Sequence, residues 1–106
     1  MVADALVAPT GALVLAQFTP LLGQVFELPL ASDDGALQLS LVEAQALAPH
    51  PGAARAPFSL VFEGPAASQL PQATYALAHP ALGSLDIFLV PVARSPAGLR
   101  YQAVFN

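Results

Sequence analysis

Apolar residues recur at every second position along much of this chain, in short runs cut by proline and glycine. That period restricts the fold more than any other feature. Side chains of an extended strand alternate between its two faces, so one apolar phase in a period of two describes half-buried strands. Phe26, Leu28 and Leu30 share one phase while Glu27 and Pro29 take the other. Beyond Asp33-Asp34-Gly35, the residues Leu37, Leu39 and Leu41 alternate with Gln38, Ser40 and Val42. Asp-Gly tolerates the positive φ of a tight turn, so these two runs read as a hairpin. Four further runs follow: Phe58 to Glu63, Thr74 to Ala78, Leu85 to Val92 and Leu99 to Phe105. Turn chemistry separates them, at Pro49-His50-Pro51-Gly52, Gly64-Pro65, His79-Pro80 with Gly83, and Ser95-Pro96-Ala97-Gly98.

About six short strands without a long amphipathic helix predict an all-β domain, a small antiparallel barrel or sandwich. Proline cannot donate to a ladder, so Pro29 and Pro91 are expected at strand ends, edges or bulges. Near the N-terminus, Thr19 as cap, Pro20 in the first helical position and Gly23 as a left-handed stop predict one short helical turn. Residues 1–17 read as an apolar N-terminal arm, and 18–106 as a single β domain.

Charge narrows the partners. Only 9% of the 106 residues are charged, against about 25% in typical domains. The mean hydropathy of +0.63 excludes a disordered chain. The basic residues are Arg55, Arg94 and Arg100, with net charge −4. Three scattered cations cannot supply the basic face that nucleic acid or an anionic membrane surface requires. With no cysteine, disulfides, thiolate catalysis and Cys-based zinc sites are excluded. The apolar stretches Ala12 to Ala16 and Ile87 to Val90 fall far short of the ~20 residues of a membrane helix. No positively charged segment precedes an A-x-A cleavage site. The expectation is a chain without cleavable signal peptide or transmembrane helix, not inserted in a membrane, and cytoplasmic or exported without a signal peptide.

Some strands are apolar on both phases. Phe88 and Val90 oppose Ile87 and Leu89, and Val104 opposes Ala103 and Phe105. A two-sided strand needs a second cover, which is either the N-terminal arm or another copy of the chain. The residues expected at such an interface are Leu13, Val14, Leu15, Phe88, Val90 and Val104.

Each residue with chemical potential has a plainer role that fits better. His50, between two prolines, has no second ligand at the spacing a metal requires and reads as a solvated loop residue. His79, before Pro80, reads as a hydrogen-bonded turn histidine rather than a general base. Ser84, His79 and Asp86 lack the G-x-S-x-G elbow of a serine hydrolase, and closeness in sequence does not create triad geometry. Asp33 and Asp34 suit a turn and supply too few alternating oxygens for calcium. Glu43, Glu63 and Asp86 read as solvated charges on polar phases, and Arg55 as a structural ion pair or backbone clamp. Phe26, Phe58, Phe62, Tyr75, Phe88, Tyr101 and Phe105 lie mostly on inward phases and read as core. No catalytic, cofactor or metal site is expected.

Several blocks carry a resemblance: Phe18-Thr19-Pro20-Leu21-Leu22-Gly23-Gln24-Val25-Phe26, Arg55-Ala56-Pro57-Phe58-Ser59-Leu60-Val61-Phe62-Glu63-Gly64-Pro65, Leu70-Pro71-Gln72-Ala73-Thr74-Tyr75, His79-Pro80-Ala81-Leu82-Gly83, Phe88-Leu89-Val90-Pro91-Val92 and Tyr101-Gln102-Ala103-Val104-Phe105-Asn106. From about residue 15 onward the chain resembles a family of small bacterial proteins catalogued as a domain of unknown function. The family lends no activity and no site residues. Its members are often encoded near phage-tail-collar-like proteins, and this resemblance implies a structural or assembly role. The apolar stretch Ala12 to Ala16 departs from the more polar start of the family. The leading expectation is a structural or assembly subunit that self-associates as an oligomer or filament through apolar β surfaces and the arm. The alternative is a non-enzymatic accessory or binding module docking on a tail-collar-like partner. A small hydrolase or ligand-binding barrel using His79 or Arg55 ranks last.

Overall fold

A computed structural model of the chain describes residues 13–29, 36–49, 51, 56–67 and 69–105. Residues 1–12 of the arm, Leu30, the Asp33-Asp34-Gly35 turn, His50 and Arg55 lie outside the described residues. Six strands follow two 3-10 turns at Leu15–Gln17 and Thr19–Leu21: β1 (Val25–Pro29), β2 (Ala36–Ala46), β3 (Phe58–Gly64), β4 (Ala73–His79), β5 (Gly83–Ser95) and β6 (Gly98–Phe105). They form a closed antiparallel barrel in the order β1-β2-β3-β6-β5-β4, with β4 returning to β1. Closure removes the open edges that a sandwich of so few strands would leave. No helix among the described residues is long and apolar enough to cross a membrane, which leaves membrane crossing by strands untouched.

The pleat agrees with the sequence phase. Phe26, Leu28, Leu39, Leu41, Leu60, Phe62, Leu77, Ile87, Leu89, Tyr101 and Ala103 all point inward and are buried. Register seats them opposite one another: Phe26 faces Leu39, Leu28 faces Leu37, and Phe62 faces Tyr101. Pro29 is the last residue of β1, where its missing N–H costs the ladder nothing. Pro91 stands at a register shift between Pro91 and Ala93, which leaves Val92 as the extra residue of a bulge. A second bulge places Val42 between Leu41 and Glu43. Each bulge inverts the inward phase. Simple alternation therefore stops at Val42 and Val92, while the strands themselves continue to Ala46 and Ser95.

One end of the barrel is plugged by the segment that carries the 3-10 turns. Phe18 is fully buried, its ring 5.9 Å from that of Phe58, 6.1 Å from Phe105 and 6.5 Å from Phe26. Phe58 and Phe105 stack beneath it at 4.6 Å. Helical propensity alone placed Phe18 in a turn and gave no sign that it fills the barrel. Thr19 does not cap: its hydroxyl donates to the Leu15 carbonyl at 3.2 Å, while the Val14 N–H is satisfied by Gln17 Oε1 at 2.8 Å. Gly23 does adopt the left-handed conformation, at φ +86, and its N–H donates to the Leu41 carbonyl at 2.7 Å. Leu13 is 1% exposed in the same core, and Leu15 packs against it. Leu13 and Leu15 thus pack on the barrel core, upstream of the boundary expected at residue 18.

Two tyrosines fix the connection between β3 and β4. The Leu70 N–H donates to the Tyr101 hydroxyl at 3.0 Å, and the Tyr75 hydroxyl donates to the Pro71 carbonyl. At the start of β6, Gly98 sits at φ +154, and a Cβ there would run into the Gly64 carbonyl oxygen. Both backbone conformation and space require glycine at this position.

Candidate functional site

The barrel closes most thinly between β1 and β4, which share the single registered pair Glu27↔Ala78. By contrast, β3 and β6 pair without interruption from Phe58↔Phe105 to Gly64↔Leu99. Beside the thin seam lies a pocket of about 390 Å³ lined by Val25, Glu27, Gln38, Ala78, His79 and Pro80. Its residues arrive by alternation. Val25 and Glu27 are on the outward phase of β1, Gln38 is the register partner of Glu27 on β2, and His79 ends β4.

His79 is 7% exposed and both of its ring nitrogens are engaged. The Ala81 N–H donates to Nδ1 at 3.0 Å, and Nε2 lies 2.7 Å from Gln24 Oε1. Because Nδ1 accepts, the ring proton sits on Nε2 and is donated to Gln24. The ring also lies 4.8 Å from Phe26. No nitrogen is left to act on a molecule in the pocket, so His79 is the hydrogen-bonded turn histidine that the His-Pro step suggested. Ser84 and Asp86 do not join it. They alternate with buried Leu85 and Ile87, which puts them on the outer face while His79 points inward. Among the described residues no group of three or more His, Asp or Glu could hold a metal ion.

The six residues expected at an interface separate by burial. Phe88 and Val104 are 49% and 50% exposed on the outer face of β5 and β6. Val90 is half-buried between them and the bulge, registered with Gln102. Val14 is exposed at the plugged end. Leu13 is buried in the chain's own core, and Leu15 is half-buried against that same core.

Glu63 is more than a solvated charge. It accepts from Ser95 Oγ at 2.8 Å and from Arg100 Nε at 3.2 Å. These two hydrogen bonds, Ser95 first, hold its carboxyl below the usual glutamate value. Burial pushes the Tyr75 phenol up. With Arg100 engaged, Arg94 is the described arginine without a partner, and the Glu27 carboxylate likewise has none among the described residues. Sequence reasoning weighed neither residue as functional. Their isolation becomes visible only once the register shows which charges are close enough to pair.

A family model described as a domain of unknown function (DUF6916) matches residues 13–105. Its first matched residue, Leu13, is also in the buried core. No curated protein and no solved structure matches the chain significantly.

Proposed function

The chain belongs to the DUF6916 family, a domain of unknown function, and we propose that it is a non-enzymatic structural subunit that self-associates through the outer face of β5 and β6. The observation that carries this reading is the exposure of Phe88 and Val104 on a barrel whose interior is already filled. No buried side-chain N or O among the described residues lacks a hydrogen-bond partner. The described buried polar side chains are satisfied within the chain, while the outside leaves apolar area in water. Full burial of a Phe or Val side chain stabilises by about 1.5–3 kcal/mol over leaving it exposed. A contiguous apolar strip on a charge-poor surface is the kind of patch that proteins use for association.

The test is absolute mass by light scattering at two concentrations, on the natural chain and on a Phe88→Lys/Val104→Lys variant. The natural chain is expected above 10.9 kDa, with mass rising with concentration, and the variant is expected to return to the monomer mass. A natural chain that stays at monomer mass at both concentrations overturns self-association. Recovery of a tail-collar-like protein bound to that monomer would then establish the accessory-module reading in its place.

A further inference from the structure

The outer face of β5 and β6 carries a charge at each end of its apolar strip. Val90 registers with Gln102, and Phe88 and Val104 lie two residues beyond that pair, each on its own strand. Two residues further along β5 stands Asp86, which alternates with buried Leu85 and Ile87 and therefore points outward. In the other direction Arg100, between buried Leu99 and Tyr101, also points outward and registers with Ala93. One pleat face thus shows, in order, Asp86, Phe88 with Val104, Val90 with Gln102, and Arg100 with Ala93. At two residues per step, roughly 20 Å of strand separates the two charges.

The ends differ in sign. Asp86 has no partner among the described residues. Arg100 donates from Nε to Glu63, which stands on β3, on the side of β6 away from β5. The remaining donors of its planar fork have no acceptor among the described residues, and the side chain is 43% exposed. A face that packs on its own copy does so about a two-fold axis. Two orientations keep the apolar residues of this strip in contact. With the strands parallel, each step meets itself, so Asp86 faces Asp86 and Arg100 faces Arg100. With the strands antiparallel, the first step meets the last and the two middle steps meet each other. Asp86 then lies over the partner's Ala93 beside the partner's Arg100, and Phe88 lies over the partner's Val90. Juxtaposed like charges disfavour the first orientation, and complementary charges favour the second.

We propose that two copies pack β5–β6 face to face with their strands antiparallel, Asp86 of each copy meeting the partner's Arg100. This rests on the self-association reading and gives it a geometry, an isologous dimer that closes at two copies. Affinity comes from Phe88, Val90 and Val104. The two exposed ion pairs contribute little binding energy, and they select the orientation instead. Aligned sheets pack about 10 Å apart, a gap that an aspartate and an arginine side chain span together.

Because the chain has no cysteine, introduced cysteines report the geometry. Asp86→Cys and Ala93→Cys copies, mixed at a concentration where the natural chain associates and treated with a short bis-maleimide, are expected to crosslink to each other. Neither variant alone is expected to crosslink to itself. Light scattering on the natural chain is expected to level off at twice 10.9 kDa. Asp86→Arg, which sets like charges together twice per dimer, is expected to weaken association by about tenfold. Urea midpoints matching the natural chain establish that these exposed substitutions leave the barrel folded. If Asp86→Cys crosslinks to itself, if the mixture does not crosslink, or if the mass climbs past the dimer, the antiparallel pairing is wrong while self-association stands. If the natural chain is a monomer at every concentration, both proposals fall together.

Discussion

Glu63 shows how far a single residue's role was visible in the sequence. Alternation put it on a polar phase, and solvated charge is the ordinary reading of such a position. Its two donors lie 32 and 37 residues away in sequence, at Ser95 and Arg100. They meet it because β3 registers Glu63 with Arg100 across β6. The consequence is a pH dependence with a defined sign. The folded carboxyl lies below its ordinary value of 4.5, so its contribution to stability is fully present above about that pH. It is lost as pH falls through the lower folded value, because the unfolded chain takes up the proton first. A Glu63→Gln variant is therefore expected to unfold at lower urea than the natural chain at neutral pH. That gap should shrink on acidification and close once Glu63 is protonated in both states. A gap that persisted unchanged at low pH would mean that the carboxylate charge contributes nothing. His79 divides in the same manner: His-Pro announced a turn, whereas its Gln24 partner stands 55 residues away and had no local signal.

At the scale of the element, period two and turn chemistry located all six strands, since both are properties of neighbouring residues. Strand ends were less visible, because the bulges at Val42 and Val92 invert the phase and disguise continuation as termination. Pro91 was the one local clue, and it does mark a bulge. Strand pairing depends on residues far apart, and it makes the barrel uneven. The β1–β4 seam rests on Glu27↔Ala78, with the Phe26–His79 ring contact bridging the same two strands and the hydrogen bond from His79 to Gln24, just before β1, beside it. Local opening follows the weakest pairing. Amide hydrogen exchange is expected to be faster at Glu27 and Ala78 than at Leu60, Phe62 and Ala103 in the β3–β6 ladder. Equal protection at both places would show that the barrel opens only as one cooperative unit, and that the seam is as firm as the rest.

For the whole molecule, the informative question is where the folding unit begins. An apolar stretch punctuated by proline and glycine looks the same in sequence whether it packs inside its own barrel or reaches a neighbour, since period cannot distinguish the two. Burial does distinguish them at Leu13, which is 1% exposed, and Leu15 lies against the same core. Removing a buried Leu side chain costs about 2–5 kcal/mol, a large share of the ~5–15 kcal/mol that stabilises an ordinary domain. A chain begun at Leu13 keeps every described core residue, whereas one begun at Phe18 opens the plugged end beside the Phe18, Phe58 and Phe105 rings. Urea unfolding of the two truncations separates packing from assembly. The first is expected to keep the natural midpoint, and the second to lose at least about 2 kcal/mol. If the chain begun at Phe18 is equally stable, Leu13 contributes nothing that the remaining core cannot supply. The region through residue 17 would then be an arm after all, free to serve an interface that the Phe88 and Val104 face alone does not explain.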